Sequence, residues 1–380
     1  CFGEAAGWER ANWYAPKGVQ PKYQYSYGRQ NWFNFVGDEH KAVRNDVGLF
    51  DLSSFGKFVI QGQDAEAELQ RICSADVAVP VGKVVYTQLL NQRGGIEADL
   101  TVTRLTPDKY FLVTPALSQA RDFNWIRRQI PDDALITMED VTSGYGVLSV
   151  MGPKSRALLS HLSNSDFSNN SFPFGTCQKI EIGYAEAYAL RITYVGELGW
   201  ELYLPTEFTG PVFDLLKTVG ADFRLRLAGY HALDSLRCEK GYRHWGYDIS
   251  PADTPLEAGL EFAISFKKNS DFIGREALET QRESGVGRRL IHFLMKDPDP
   301  ILVHDEPIFR NKELVGTTTS GAFGYTLGRS VGMGYVKTPR NYDKAWLEEA
   351  SYEIELGGKR LAAKASVQPF FDPAHVRVKS

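Results

Sequence analysis

The chain has 380 residues, of which 43% are hydrophobic and 12% aromatic, with a formal net charge of −4 and a pI near 6.0. That composition describes a folded globular protein, and the length calls for two or three packed units rather than one core. It gives no support to a nucleic-acid surface: no basic block interleaves with aromatics, and Arg288-Arg289 is an isolated pair expected at a solvated loop end.

The four cysteines, Cys1, Cys73, Cys177 and Cys238, have no CxxC spacing and no His/Cys cluster, so a zinc site is not expected. Scattered thiols of this kind fit a reducing compartment. No apolar run approaches the roughly 20 residues of a membrane span, and no signal-peptide pattern opens the chain. Cys1-Phe2-Gly3 lacks an initiator Met, and the aromatic stretch WERANWYAPKG follows at once. Both features lead us to expect the C-terminal part of a longer polypeptide, although a processed or engineered N-terminus would look the same.

In chain order, residues 1–40 are aromatic and aperiodic, like an arm lying over another surface. Residues 41–60 read as a short helix and then a strand from about Lys57. Asp64 can cap a helix carrying Ala65, Leu69 and Ile72 on one face. The stretch from Tyr86 to Arg104, YTQLLNQRGGIEADLTVTR, reads as a hairpin. Leu100 and Val102 alternate with Thr101 and Thr103, and Gly94-Gly95 marks the reversal. Lys109–Val113 adds a strand. Tyr145–Val150 is strand-like, and Gly152-Pro153 opens a helix. Lys179–Tyr194 alternates like two strands around Gly183, and Glu201–Leu204 continues the sheet. Thr209-Gly210-Pro211 starts the next helix, and a further one, Tyr230–Tyr242, stops at Gly241. A polar linker with one short helix falls near 267–290. Beyond it, six short strands with turns at Asn311-Lys312 and Gly357-Gly358 predict a separate small β-barrel. GxGxxG and GxxxxGK[ST] are both absent.

Three stretches can carry chemistry. Asp99 sits at the mouth of the returning hairpin strand, where it either faces a ligand or merely caps the turn. In YVGELGWELY (194–203), two acids and two glycines interrupt a strand pair, which suggests a ligand close to the backbone. Glu201 there suits a planar fork of N–H donors, either an arginine of the protein or the amino-pyrimidine edge of a pterin. In LDSLRCEKGYRHWGYD (233–248), Arg237 flanks an apolar stripe and can bind a carboxylate ligand or satisfy a buried acid. Glu239 and Arg243 fall at i,i+4 as an expected pair. His231 and His244 have no Ser or Cys nucleophile motif nearby, so triad chemistry is not supported.

These motifs, together with GWERANWYAP (7–16), LFDLSSFGKF (49–58), DTPLEAGLEF (253–262) and FIGREAL (272–278), resemble the folate-dependent aminomethyltransferase family of the glycine cleavage T-protein. More narrowly, they resemble the C-terminal folate half of sarcosine and dimethylglycine dehydrogenases. The resemblance implies an α+β fold, a three-lobed ring with a C-terminal β-barrel. It divides the chain into an aromatic arm (1–28), a two-lobed folate region (29–272) and the barrel (285–375). It also implies tetrahydrofolate as the bound partner. Asp99 falls on the catalytic position, Tyr86, Tyr194 and Glu201 fall on pterin-contacting positions, and Arg237 falls near the folate. A small N-methyl amine, as its iminium or formaldehyde, would supply the carbon for 5,10-methylenetetrahydrofolate. FAD would belong to a flavin domain or subunit absent from this chain. Neither nucleic acid nor membrane is an expected partner, and the implied location is the bacterial cytoplasm or the mitochondrial matrix. The alternatives are a binding module without turnover, like the family's phosphatase regulatory subunit, and a demethylase acting on O- or S-methyl donors.

Overall fold

The computed structural model describes all 380 residues, and three β-units dominate it. The first is a five-stranded antiparallel sheet in the order Val84–Leu90, Ile96–Thr106, Lys109–Thr114, Gly56–Gln61 and Thr137–Asp140. Its strands alternate as the sequence suggests. Ala98, Leu100 and Val102 point into a core closed by the helices Ala65–Ile72 and Gln119–Gln129, which leaves Glu97, Asp99 and Thr101 on the opposite face. The Ala65–Ile72 helix forms as expected, but Asp64 does not cap it. Its carboxylate accepts instead from the backbone N–H of Leu135, which fastens the strand-edge loop.

The second unit is a six-stranded sheet in the order Cys177–Ile182, Ala185–Leu190, Gly199–Pro205, Tyr145–Met151, Val47–Asp51 and Leu225–Leu227, of which only the last pair is parallel. One face packs on the helices Ser155–Leu162 and Thr206–Gly220 around Trp200, Phe167 and Phe172. The other face, with Phe50 and Tyr203, meets Phe111 and Val113 of the five-stranded sheet in a core shared by both units. That shared core brings the two groups of candidate residues towards each other.

The third unit is the expected barrel, closed by six antiparallel strands between Arg288 and Ser366. Asn311 and Lys312 both adopt positive φ, as do Gly357 and Gly358, so the two turns are the left-handed kind that matches strand twist. The N-terminal aromatics are more ordered than an arm. Phe2–Ala5 and Trp8–Ala11 pair as a hairpin, and the buried Trp13 stacks on Phe35 at 5.7 Å. Glu39 then ties this segment down by accepting from the N–H groups of Tyr14 (2.5 Å) and Gly229 (2.8 Å).

Two expectations need correction here. The helix Tyr230–Lys240 stops at Gly241 (φ +68), so Arg243 lies outside it and the i,i+4 pair with Glu239 does not form. Glu239 is buried instead against Arg44 (3.1 Å) and His40 (3.3 Å), and it accepts from the Thr326 N–H at 2.8 Å. Likewise Arg288-Arg289 is not a loop end. It opens the first barrel strand, and Arg288 pairs with Asp253 and Glu257.

Candidate functional site

The hairpin turn decides where Asp99 points. The Asn91 side chain accepts from the N–H groups of Arg93 and Gly95 and holds the loop, while Gly94 supplies the positive φ (+79). Gly95 is needed for a different reason, because a Cβ there would strike the carbonyl of Pro251. With the turn so fixed, Asp99 lies directly across from Gln88 on the neighbouring strand. The Gln88 amide donates to its carboxylate at 2.8 Å, and the Tyr86 hydroxyl lies beside it. Asp99 is therefore no turn cap. Burial pushes its carboxyl up to about 6, against the pull of the Gln88 amide, the Tyr86 hydroxyl and the Arg243 cation. It keeps a partial opening to solvent. The Oε1 of Gln88 is buried without a partner, an orphaned acceptor beside the carboxylate.

Tyr194 reaches the same neighbourhood from the other sheet. It sits in the irregular segment between Ala185–Leu190 and Gly199–Pro205, where the Thr193 hydroxyl accepts from the backbone N–H groups of Val195 (3.2 Å) and Gly196 (3.1 Å). The Tyr194 hydroxyl donates to the Arg243 carbonyl at 2.9 Å, and its ring stacks on Tyr242 at 6.1 Å. Burial drives the phenol upward, with Asp99, Asp234 and Asp248 adding to the rise and Arg237 opposing it. Tyr86 stacks on Phe262 at 6.2 Å, and Phe262 is itself exposed. The two glycines of this motif are explained by the protein's own packing rather than by a ligand. A Cβ on Gly196 would meet the Lys240 side chain, and one on Gly199 would meet Met151 and the Val150 carbonyl.

The two acids of the motif have separate fates. Glu197 is buried in an ion network, 3.0 Å from Arg44 and 2.8 Å from Arg377. Glu201 has no cation at all. It lies on the central Gly199–Pro205 strand between Ser149 and Leu190, is 4% exposed, and accepts one hydrogen bond, from the Tyr203 hydroxyl at 2.7 Å. Burial pushes it up to about 7, with Tyr203 opposing. The alternative of a structural Glu–Arg pair thus describes Glu197 and fails for Glu201.

Arg237 is spoken for. Its Nε and Nη2 meet Asp234 (2.6 and 2.5 Å), Nη1 meets Asp248 (2.8 Å) and the Tyr242 carbonyl (3.4 Å), and Nη2 also donates to Ser320 (3.0 Å). With every N–H engaged, it joins its helix to the 242–248 segment and to the barrel, and it keeps no donor for a ligand.

The structure thus groups Tyr86, Asp99 and Tyr194 electrostatically. It sets Glu201 on the interlobe face, with Tyr203 as its partner, and makes Arg237 a tie. Sequence reasoning missed Gln88, Tyr203, Tyr242 and Arg243. Strand alternation with the correct hairpin register would have found Gln88. Tyr203 is two residues after Glu201 and so on the same face, a signal that was available. A groove of about 450 Å³ between Arg310, Glu313, Lys337 and Trp346 lies on the barrel surface and contains none of these side chains. No cluster of His, Cys, Asp and Glu could hold a metal ion.

Comparison with known proteins identifies the family. Residues 1–268 match the GCVT N-terminal domain, and residues 288–372 match the glycine cleavage T-protein C-terminal barrel domain. The chain is 44% identical over its whole length to 45% of a 4-methylaminobutanoate oxidase (formaldehyde-forming) from Paenarthrobacter nicotinovorans. It is 36% identical, again over its whole length, to 45% of human mitochondrial sarcosine dehydrogenase. It therefore spans less than half the length of these relatives. Among solved structures, the glycine cleavage system aminomethyltransferase T of Bartonella henselae superposes with a TM-score of 0.82 at 27% identity, covering 98% of this chain and 94% of that one.

Proposed function

Because the chain belongs to the glycine cleavage T-protein family of aminomethyltransferases, we propose that it binds tetrahydrofolate at the junction of its two sheets. There it would direct a one-carbon unit onto the folate, giving 5,10-methylenetetrahydrofolate. The carbon would come from an oxidised N-methyl amine such as sarcosine or dimethylglycine, as an iminium or as formaldehyde. FAD would be held by a flavin domain or subunit outside these residues. The observation that carries this reading is the contrast between Glu201 and Glu197. A carboxylate buried at the interlobe face with one tyrosine hydroxyl and no cation is unfavourable for folding, so a ligand that donates to it is the natural compensation.

Tetrahydrofolate supplies the nucleophilic nitrogen. Glu201 accepts from the amino-pyrimidine edge, for which two carboxylate oxygens are well matched. Tyr194 and Tyr86 set the plane and height of the ring by packing and by their hydroxyls. The orphaned Gln88 Oε1 offers one more acceptor beside Asp99. Asp99, held by Gln88, stabilises positive charge on the incoming carbon unit and receives or returns a proton, a task suited to a carboxyl lifted to about 6. Arg237 acts only by fixing the 242–248 segment. Enclosure between the sheets keeps bulk water from the reactive carbon.

Calorimetric titration with tetrahydrofolate, alongside turnover with formaldehyde, tests the reading. Glu201→Gln is expected to weaken binding, whereas Asp99→Asn should leave binding in place and slow methylene formation. If neither variant changes either quantity, the assignment is wrong.

A further inference from the structure

Two converging guanidiniums, one of them within electrostatic reach of Asp99, lack the carboxylate partner that a half-buried arginine normally has. Arg243 follows the Gly241 helix stop, and its donors reach only carbonyls. Nε and Nη2 donate to Ala258 at 3.0 and 2.7 Å, and Nη1 donates to Gly241 at 2.6 Å. Arg289, on the first barrel strand, donates from Nη1 to the Leu256 carbonyl. The acids at hand are taken by its neighbour Arg288, which lies 2.8 Å from Asp253 and 3.0 Å from Glu257. The two free cations converge. A Cβ built on Gly259 would be 2.8 Å from Arg243 Nη2 and 3.1 Å from Arg289 Nη2. The buried ring of His292 packs against Gly241 beside them, and burial, aided by both arginines, holds it in its neutral form.

Carbonyl oxygens satisfy N–H groups but bring no net charge. Asp99 and Asp248, the acids within electrostatic reach of Arg243, make no hydrogen bond to it, so the two like charges have no carboxylate in contact. Each guanidinium keeps N–H groups that have no protein acceptor. Arg243 is also within electrostatic reach of both Asp99 and Tyr86, so the cluster borders the proposed reaction centre. A planar fork with spare donors beside a second cation matches a carboxylate.

We propose that Arg243 and Arg289 form a carboxylate-binding pair next to Asp99. This rests on the folate reading and extends it to what is bound alongside. The shared ligand chemistry is a carboxylate, with two sources: the N-methyl amino acid whose carbon is transferred, or the glutamyl tail of the folate.

Calorimetry on the full chain separates the sources. Wild type, Arg243→Gln and Arg289→Gln are titrated with tetrahydrofolate, with 6-methyltetrahydropterin (which has no glutamyl tail), with N,N-dimethylglycine and with trimethylamine. The expected result is a loss of about tenfold or more for one carboxylate ligand, with its carboxylate-free counterpart unchanged. Loss with tetrahydrofolate identifies the tail, and loss with dimethylglycine identifies the amine. Circular dichroism checks the fold. Should a Gln variant unfold, Arg243→Lys carries the test, since it keeps the charge while removing the fork. Unchanged affinity for both carboxylates overturns the proposal, as does an equal loss with the tail-less pterin. Wild-type protein that binds neither pterin would sink the folate reading, and the amine titrations would still decide the arginine pair.

Discussion

Replacing Glu201 by Gln separates the cost of this residue to folding from its use in binding. Burial lifts the carboxyl from 4.5 to about 7, so the folded chain holds this proton more tightly than the unfolded chain does. Below the unfolded value both states are protonated and the residue carries no penalty. As pH rises through about 7, the folded protein must ionise a carboxyl with one hydrogen-bond partner, and stability is lost. At about 1.36 kcal/mol per pH unit, the full loss is about 3 kcal/mol. Glutamine keeps an acceptor for the Tyr203 hydroxyl but cannot ionise, so it escapes this loss. Thermal melts at about pH 5 and about pH 8 should therefore show Glu201→Gln gaining on wild type as the pH is raised. With an unfolding entropy of about 2.1 cal/mol/K per residue, 3 kcal/mol over 380 residues corresponds to about 4 °C. Tetrahydrofolate affinity should fall in the same variant. A melting difference that does not change with pH would refute the argument, because it would mean that the carboxyl ionises in the folded state as easily as in water.

The remaining predictions concern Asp99 and its surroundings. Asp99→Asn should slow methylene formation by about 10²–10⁴-fold while the dissociation constant moves little, read by single-turnover kinetics and calorimetry. Tyr86→Phe removes a hydroxyl that favours the ionised carboxyl, so the inflection near pH 6 in the rate profile should move upward; a downward shift would contradict that role. Glu197→Ala leaves Arg44 buried with one acid fewer and should cost about 3–5 kcal/mol in urea unfolding without a direct effect on folate affinity.

Much of this was legible because local pattern and tertiary burial agree. The alternation of Leu100 and Val102 against Thr101 and Thr103, with Gly94-Gly95 at the reversal, gave the hairpin, and Asp99 lies on its face opposite the core. Val47–Asp51 escaped notice because four of its five residues are buried, so it shows no alternation and merges with the helix before it. The helix expected to begin at Thr209-Gly210-Pro211 begins at Thr206 and carries Pro211 inside it. The two acids of YVGELGWELY look alike in sequence. What distinguishes them is Arg44 and Arg377, 153 and 180 positions from Glu197. For Arg237 the buried-acid alternative holds: Asp234 and Asp248 lie in its own stretch, and only Ser320, 83 residues away on the barrel, was out of sight. Long-range ion pairing is the part of a site that a one-dimensional pattern does not contain.

The segment after the last barrel strand crosses back over the six-stranded unit. Asp372 meets Lys240 at 2.9 Å, Arg377 meets Glu197, and the Ser380 carbonyl accepts from Arg156 and Arg191 at 2.8 and 3.0 Å. The barrel is thus lashed to that unit at a point far from the linker by which it enters. A joint fastened at two separated points does not swing, so barrel and six-stranded unit travel as one body.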